Sequence, residues 1–310
     1  MNIPIISGSV PRAQKVCVYG PEGVGKTTFA SHFPKPLFLD LERGSCAYEV
    51  ERVYPKMAAQ VEEVLDWVLT GKSGYETVVF DSYDSLWHLY SEKVVAEKKY
   101  KNIDDTPYAV GVKMVTDLLA RLLSGRVERL IDAGVNVVFL AHTVVKNFND
   151  VQHGVSYDRY LLRVQPQAAG LLVKQMDTLL FANFDTQVIQ DAAGNYRATG
   201  GKKRALWTSK TAAADGKSRY ALPEKMDPSQ TAVFMILGKG NLRLRHEWDE
   251  FLKGFSDAQI TGFLLKNGKI VEGQHWWQVD AEFVARGVAN ADGLRKAVEA
   301  YVASQAEVAA

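Results

Sequence analysis

The chain has 310 residues, 47% hydrophobic and 24% charged, with a formal net charge of +1 at pH 7. That is an ordinary globular composition with ample apolar content for a core, and it excludes a molecule-wide basic field for nucleic acid or membrane. Two cysteines, Cys17 and Cys46, and no apolar run of about 18 residues exclude a disulfide framework and a transmembrane helix. The length suits one large domain and a smaller one. The first ten residues carry no basic leader, so no signal peptide is expected, and the cysteine usage fits a reducing cytoplasm.

In chain order, the first element is the apolar run Val16, Cys17, Val18, Tyr19, which reads as a strand with Cys17 as a buried free thiol. It leads into Gly20, Pro21, Glu22, Gly23, Val24, Gly25, Lys26, Thr27 and Thr28, and then into a helix over 29–33. Strand, G-x-x-x-x-G-K-T turn and helix together form a P-loop. Glycines let successive N–H groups point inward at phosphate oxygens, and the helix adds the positive end of its dipole. Lys26 is placed to reach the β- and γ-phosphates of ATP, and Thr27 to ligate Mg²⁺.

Pro34 to Pro36 mark a loop, and residues 37–42 read as a buried strand ending in the carboxylates Asp40 and Glu42. Apolar spacing at Val61, Val64, Leu65, Val68 and Leu69 predicts a helix over 57–70. Residues 77–81 form a third strand, ending in Asp81. A long helical region follows, broken near 104–107 and resuming to about 132. A fourth strand over 135–141 ends in His142. Residues 143–166 are polar and weakly patterned and read as a long functional loop. Then come a short helix over 167–175, a strand over 178–184, a hairpin turn at Asp191, Ala192, Ala193, Gly194 and Asn195, and a basic segment over 197–219.

Short buried strands alternating with helices predict an α/β fold, a mostly parallel central sheet flanked by helices with an antiparallel hairpin on one edge. Residues 1–230 are assigned to this core and 231–310 to a small, mostly helical C-terminal module. In that module Ser256 to Gln259 form a capping-box start, Asn267-Gly268 a turn, and residues 291–303 an amphipathic helix. Trp248, Trp276 and Trp277 are either its core or a surface for bases or a partner.

A triphosphate site also needs a second carboxylate for Mg²⁺, and Asp81 is the candidate. Hydrolysis needs a group that positions water. The residue after Asp81 is Ser82, so the common glutamate-after-aspartate arrangement is absent. Neither D-x-x-G nor N-K-x-D, the GTPase signatures, occurs in place. Strand alternation would put Asp40 and Glu42 on one face at the ligand-binding edge, so Glu42 either orients the attacking water or is a solvated surface carboxylate.

The ordered set of 20–28, 36–42, 78–82, 138–143 and 217–223 resembles the RecA-like P-loop ATPases, and within them the phage-encoded single-strand annealing and recombination proteins. The resemblance covers roughly residues 14–225. It implies a RecA-like NTPase core that hydrolyses ATP with Mg²⁺. Glu42 falls at the family's catalytic glutamate and Asp81 at the Mg²⁺-side aspartate. His142 stands where a glutamine usually senses the γ-phosphate, unless it is merely satisfied by backbone. Lys217 and Arg219 match cations that reach the neighbouring subunit's ATP; the bland alternative is a solvated basic hairpin. The family's DNA-binding loops would fall near 98–108 (Lys98, Lys99, Tyr100, Lys101, Tyr108) and 144–166 (Lys146, Phe148, His153, Tyr157, Arg159, Tyr160, Arg163). Interleaved cations and aromatics suit single-stranded DNA. Arg197, Lys202, Lys203, Arg204 and Lys210 extend a basic track or solvate a hairpin.

The reading is thus a DNA-dependent ATPase of homologous recombination, self-assembling as a ring or helical filament. It would promote annealing or strand exchange and meet other recombination or replication proteins through the C-terminal module, with no membrane partner. A helicase, helicase loader or packaging motor on the same core is the alternative; a small-molecule kinase and a barely hydrolysing switch rank lower.

Overall fold

The computed structural model describes residues 12–104, 106, 109–190, 196–220, 222–237, 252–270 and 290–309. β1 (Lys15–Gly20) is buried at all six residues, which is why it reads as a continuous apolar run rather than an alternating one. It opens into α1 (Lys26–Ser31) and then β2 (Pro36–Asp40) and a short β3 (Glu51–Val53). α2 (Ala58–Leu69) lays Val61, Leu65 and Val68 on the core, the helical spacing read from the sequence. β4 (Thr77–Asp81) leads through Ser82 into α3 (Tyr83–Lys98). α4 (Val110–Leu122) passes through a π turn at Leu123–Val127 into α5 (Glu128–Asp132). β5 (Asn136–Asp150), β6 (Val155–Leu162), α6 (Pro166–Gln175), β7 (Thr178–Gln190) and β8 (Tyr196–Trp207) follow. β9 (Lys217–Ser218), β10 (Lys225–Met226) and α7 (Gln230–Ile236) complete the unit Arg12–Ile236.

The sheet order is β10-β8-β7-β1-β5-β4-β2-β3, with β6 on β5 and β9 on β7. From β7 across to β3 every neighbouring pair is parallel; β8, β9 and β10 add antiparallel pairs on the β7 side. This is the mostly parallel α/β sheet with flanking helices that the sequence predicts, with antiparallel strands added on one side. The strand carrying the P-loop and the strand carrying Asp81 are not neighbours: β5 lies between them. β1 and β4 end, and β5 passes His142, at one sheet edge, where ligands bind in such sheets. The core beneath that edge is aromatic. Phe80 and Phe139 stack with centroids 4.7 Å apart, and Tyr83 meets Phe139 edge-on. Cys17 is a fully buried free thiol, pushed upward in pKa by that burial.

The structure corrects three readings. Residues 143–166 are not a loop. β5 continues past His142 to Asp150 and pairs antiparallel with β6, from Thr143↔Leu162 to Asp150↔Val155. The outer part of this two-stranded ribbon, from Val145 to Asn149, is exposed on both faces, so its polar residues hide the strand signal. The strand at 178–184 likewise runs on to Gln190, paired with β8. β2 stops at Asp40, so strand alternation does not reach Glu42. Asp40 is instead a buried turn-former, accepting from Gly44 and Ser45 N–H and the Ser45 hydroxyl (2.6 Å). The turn expected at Asp191 to Asn195 lies outside the described residues.

A second unit lies within Leu237–Ala310. There α8 (Asp257–Lys266) starts with the expected capping box: Ser256 Oγ accepts from Gln259 N–H, and Gln259 Oε1 accepts from Ser256 N–H. It packs Ile260, Phe263 and Leu264 against Val298 of α9 (Ala291–Ala309). Gly262 lets the Tyr301 hydroxyl approach to 2.5 Å of where a Cβ would stand. Trp248, Trp276 and Trp277 lie outside the described residues.

Candidate nucleotide-binding and hydrolysis site

The P-loop runs from the end of β1 into α1. Gly23 and Gly25 have φ of +73° and +94°, backbone that L side chains rarely adopt, so glycine is required there. A Cβ on Gly20 would stand 2.1 Å from the Ala182 carbonyl oxygen, so a side chain there would collide with β7. Lys26 is buried, and its Nζ donates to the carbonyls of Gly20 (3.0 Å) and Pro21 (2.9 Å). Burial lowers its pKa, opposed by the charges of Asp81, Asp84, Glu42 and Glu22.

Thr27 Oγ1 donates to Asp81 Oδ2 at 2.9 Å, which brings together the two residues expected to hold Mg²⁺. Burial pushes the Asp81 carboxyl up to about 6; the Thr27 hydrogen bond lowers it, and Glu42 and Asp40 raise it further. A hydroxyl and a carboxylate, both hard oxygen donors, suit Mg²⁺. When bound, that ion supplies positive charge to the β- and γ-phosphate oxygens.

Glu42 stands two residues past β2 at the same edge, its side chain about one-third exposed. The hydroxyls of Ser82 and Ser85 (2.9 Å) both donate to its Oε1. Ser82 also N-caps α3, accepting from Ser85 N–H, so the helix start that follows Asp81 is also what grips Glu42. His142 Nδ1 is 3.6 Å from the same Glu42 oxygen and 2.8 Å from Asp84 Oδ2, while His142 N–H donates to Asp84 Oδ1. The Asp84 carboxylate therefore accepts a hydrogen bond from Nδ1–H and leaves Nε2 as the ring nitrogen open to a ligand. Burial raises the Asp84 carboxyl, but its hydrogen bonds with His142 and the ring's charge outweigh this and hold it at about 2. A carboxylate fixed by two hydroxyls, beside an imidazole of set orientation, can accept a proton from water.

A family model described as AAA domain matches residues 12–220. The chain belongs to this AAA-domain family. No curated protein matches it. Among solved structures it is similar to a KaiC-like protein from the hyperthermophilic archaeon Pyrococcus horikoshii OT3, at 15% identity and a TM-score of 0.36, over 70% of this chain and 86% of that one. The AAA domain thus carries its P-loop, Asp81 and Glu42 within the matched span, as a nucleoside-triphosphate hydrolase does.

Two residues beside this AAA domain's P-loop, Asp84 and Ser85, escape the sequence reading, and a third, Arg163, is one that reading assigns to the DNA-binding loop. Asp84 and Ser85 had only a helix-start pattern to announce them. Arg163 bridges Asp84 Oδ2 and Glu22 Oε1, both at 3.3 Å, which ties the base of the β5–β6 ribbon to the P-loop. Its partners lie 79 and 141 residues away, and no local spacing reveals that.

Lys217 and Arg219 do not come to the P-loop of their own chain. Lys217 Nζ donates to the carbonyls of Val173 (2.9 Å) and Lys174 (3.4 Å), closing the end of α6, and Arg219 pairs with Asp177 at 3.4 Å. Arg219 N–H donates to the Asp177 carbonyl, and Asp177 N–H to that of Lys15, so Arg219 is level with the start of β1. That is about 16 Å of strand from Gly20.

The cations and aromatics of 144–166 divide. Arg159 is buried, paired with Asp215 at 2.8 Å under the Phe148 ring; Tyr160 packs on Phe181. These anchor the ribbon. Lys146 and Phe148 are exposed, with Tyr157 beside Phe148, and His153 pairs with Asp150 at the tip. In the other loop Lys98, Lys99 and Lys101 are exposed, Tyr100 packs on the core, and Tyr108 lies outside the described residues. No helix among the described residues is long and apolar enough to cross a membrane.

Proposed function

We propose that this AAA domain is an ATP hydrolase acting on single-stranded DNA in homologous recombination, promoting annealing or strand exchange as a ring or filament. In this reading Lys26 and the loop amides hold ATP, Thr27 and Asp81 hold Mg²⁺, and Glu42 orients the attacking water. His142 senses the γ-phosphate through Nε2.

The observation that carries the reading is the continuity of β5. The strand that ends its buried part at His142 runs on to Asp150 as an exposed ribbon bearing Lys146, Phe148 and, across from it, Tyr157. A change at the phosphate thus has a stiff path to a surface with charge for a backbone and rings for bases. Arg163 adds a second link at the ribbon's base. The distance of Lys217 and Arg219 from their own P-loop supports their serving a neighbouring subunit.

Fluorescence anisotropy of a labelled single strand, with and without ATP and across a salt series, tests this. Binding strengthened by ATP and weakened steeply by salt is expected. Salt-sensitive binding that ignores nucleotide would remove the coupling, and no binding would remove the DNA partner.

A further inference from the structure

Arg204 on β8 has no part in the hydrolytic cluster, yet it reaches the nucleotide loop. β7 is level with β1 at Phe181↔Tyr19, and Arg204 is opposite Phe184. β7 and β8 therefore overrun the edge where β1 stops, and Arg204 stands beyond it. Its side chain turns back along the P-loop. A Cβ on Gly25 would lie 3.4 Å from Arg204 Nη1, 3.5 Å from Cδ and 3.7 Å from Cζ. The guanidinium and its stem lie alongside the bare Gly25 backbone, the residue next to Lys26.

Arg204 is exposed, and among the described residues its guanidinium makes no hydrogen bond, ion pair or ring contact. The neighbouring carboxylates are engaged elsewhere. Glu22 faces Arg163, Asp81 takes the Thr27 hydroxyl, Glu42 takes two serines, and Asp84 takes His142. A second cation placed beside the Lys26 loop with no side-chain anion is electrostatically unfavourable until an anion joins them. The ligand of this loop is a polyphosphate, and a planar guanidinium binds phosphate through two parallel hydrogen bonds.

We propose that Arg204 is a phosphate-binding residue of the nucleotide site, acting in the same chain as the P-loop and gripping the α- or β-phosphate. This rests on the nucleotide reading above. The choice of phosphate follows from the neighbour: loop amides around Gly25 cradle the α- and β-phosphates, whereas the lysine reaches the β- and γ-phosphates. Arg204 then contributes equally to ATP and ADP. Its contact is uniform binding, so its loss falls on KM rather than on the chemical step.

The test is titration of fluorescent ADP and ATP into wild type, Arg204→Ala, Arg204→Lys and Lys26→Ala, with displacement by inorganic pyrophosphate. Arg204→Ala should weaken ADP, ATP and pyrophosphate alike by about tenfold, and kcat/KM should fall by the same factor through KM. Arg204→Lys should recover part of the loss, keeping the charge but not the fork. Unfolding temperature without nucleotide should match wild type, since the side chain has no hydrogen-bond or ion-pair partner among the described residues. Wild-type ADP affinity in Arg204→Ala would overturn the assignment. So would a fall in kcat with ADP affinity intact, which points to the γ-phosphate. Failure of wild type itself to bind either nucleotide would instead overturn the underlying reading.

Discussion

Glu42 owes its position to Ser82 and Ser85, residues that begin a helix forty residues downstream. Glu42→Gln keeps the shape and hydrogen bonds of the side chain but removes its basicity. ATP binding should persist while phosphate release falls about a hundredfold or more; turnover near wild type would remove Glu42 from the chemistry. Asp84 gives a pH signature. Its carboxyl falls from an ordinary 3.8 to about 2 in the folded chain. The unfolded state therefore binds that proton more tightly, so the stabilisation is complete above about pH 4 and is lost as pH falls toward 2. Asp84→Asn should lose on the order of 2 kcal/mol at neutral pH, and its stability should decline less between about pH 4 and 2 than wild type's. Denaturant unfolding over that range checks both; parallel curves would contradict the pair. At this scale what local spacing carries was legible: the glycine-rich turn, and Thr27 and the strand-ending Asp81, which meet in the structure. The sequence was silent on Asp84, and it assigned Arg163 and Arg159 to a DNA-binding loop when contacts with distant segments tie one to Asp84 and bury the other on Asp215.

The β5–β6 ribbon is the element the sequence hid, and the one that gives the site reach. Its outer residues are solvated on both sides, so alternation is lost and only turn-like polarity remains. The buried strands were legible because both faces are covered and the apolar run is unbroken. Exposed apolar side chains cluster on the ribbon: Val145 and Val155 are 53% exposed and Val151 94%. On the proposed reading a partner covers this ribbon. If single-stranded DNA covers it, stacking on Phe148 and Tyr157 is worth about 1–3 kcal/mol per base. Phe148→Ala/Tyr157→Ala should then weaken single-strand affinity at least tenfold by anisotropy. An unchanged affinity would move the DNA path elsewhere on the molecule.

Across the whole chain, the proposed reading has the AAA domain close one part of its nucleotide site and leave another to a neighbouring copy. P-loop, Mg²⁺ pair, Glu42 and His142 gather at one sheet edge, while Lys217 and Arg219 stand near the other end of the strands. On the proposed reading those cations serve the next subunit. Lys217→Ala/Arg219→Ala should bind ATP as wild type does but lose DNA-stimulated turnover; retained stimulation would end the intersubunit role. The fold class and the order of motifs were readable along the chain because buried strands and glycine turns are local signals. Which side of the sheet each cation occupies was not, because β9 finds its place only by pairing with β7. The most direct measurement is the ATP hydrolysis rate with and without single-stranded DNA, over a salt series, in wild type and Lys26→Ala. The account predicts strong stimulation that fades with salt, and no turnover in Lys26→Ala. A rate indifferent to DNA, or activity surviving in Lys26→Ala, would contradict it.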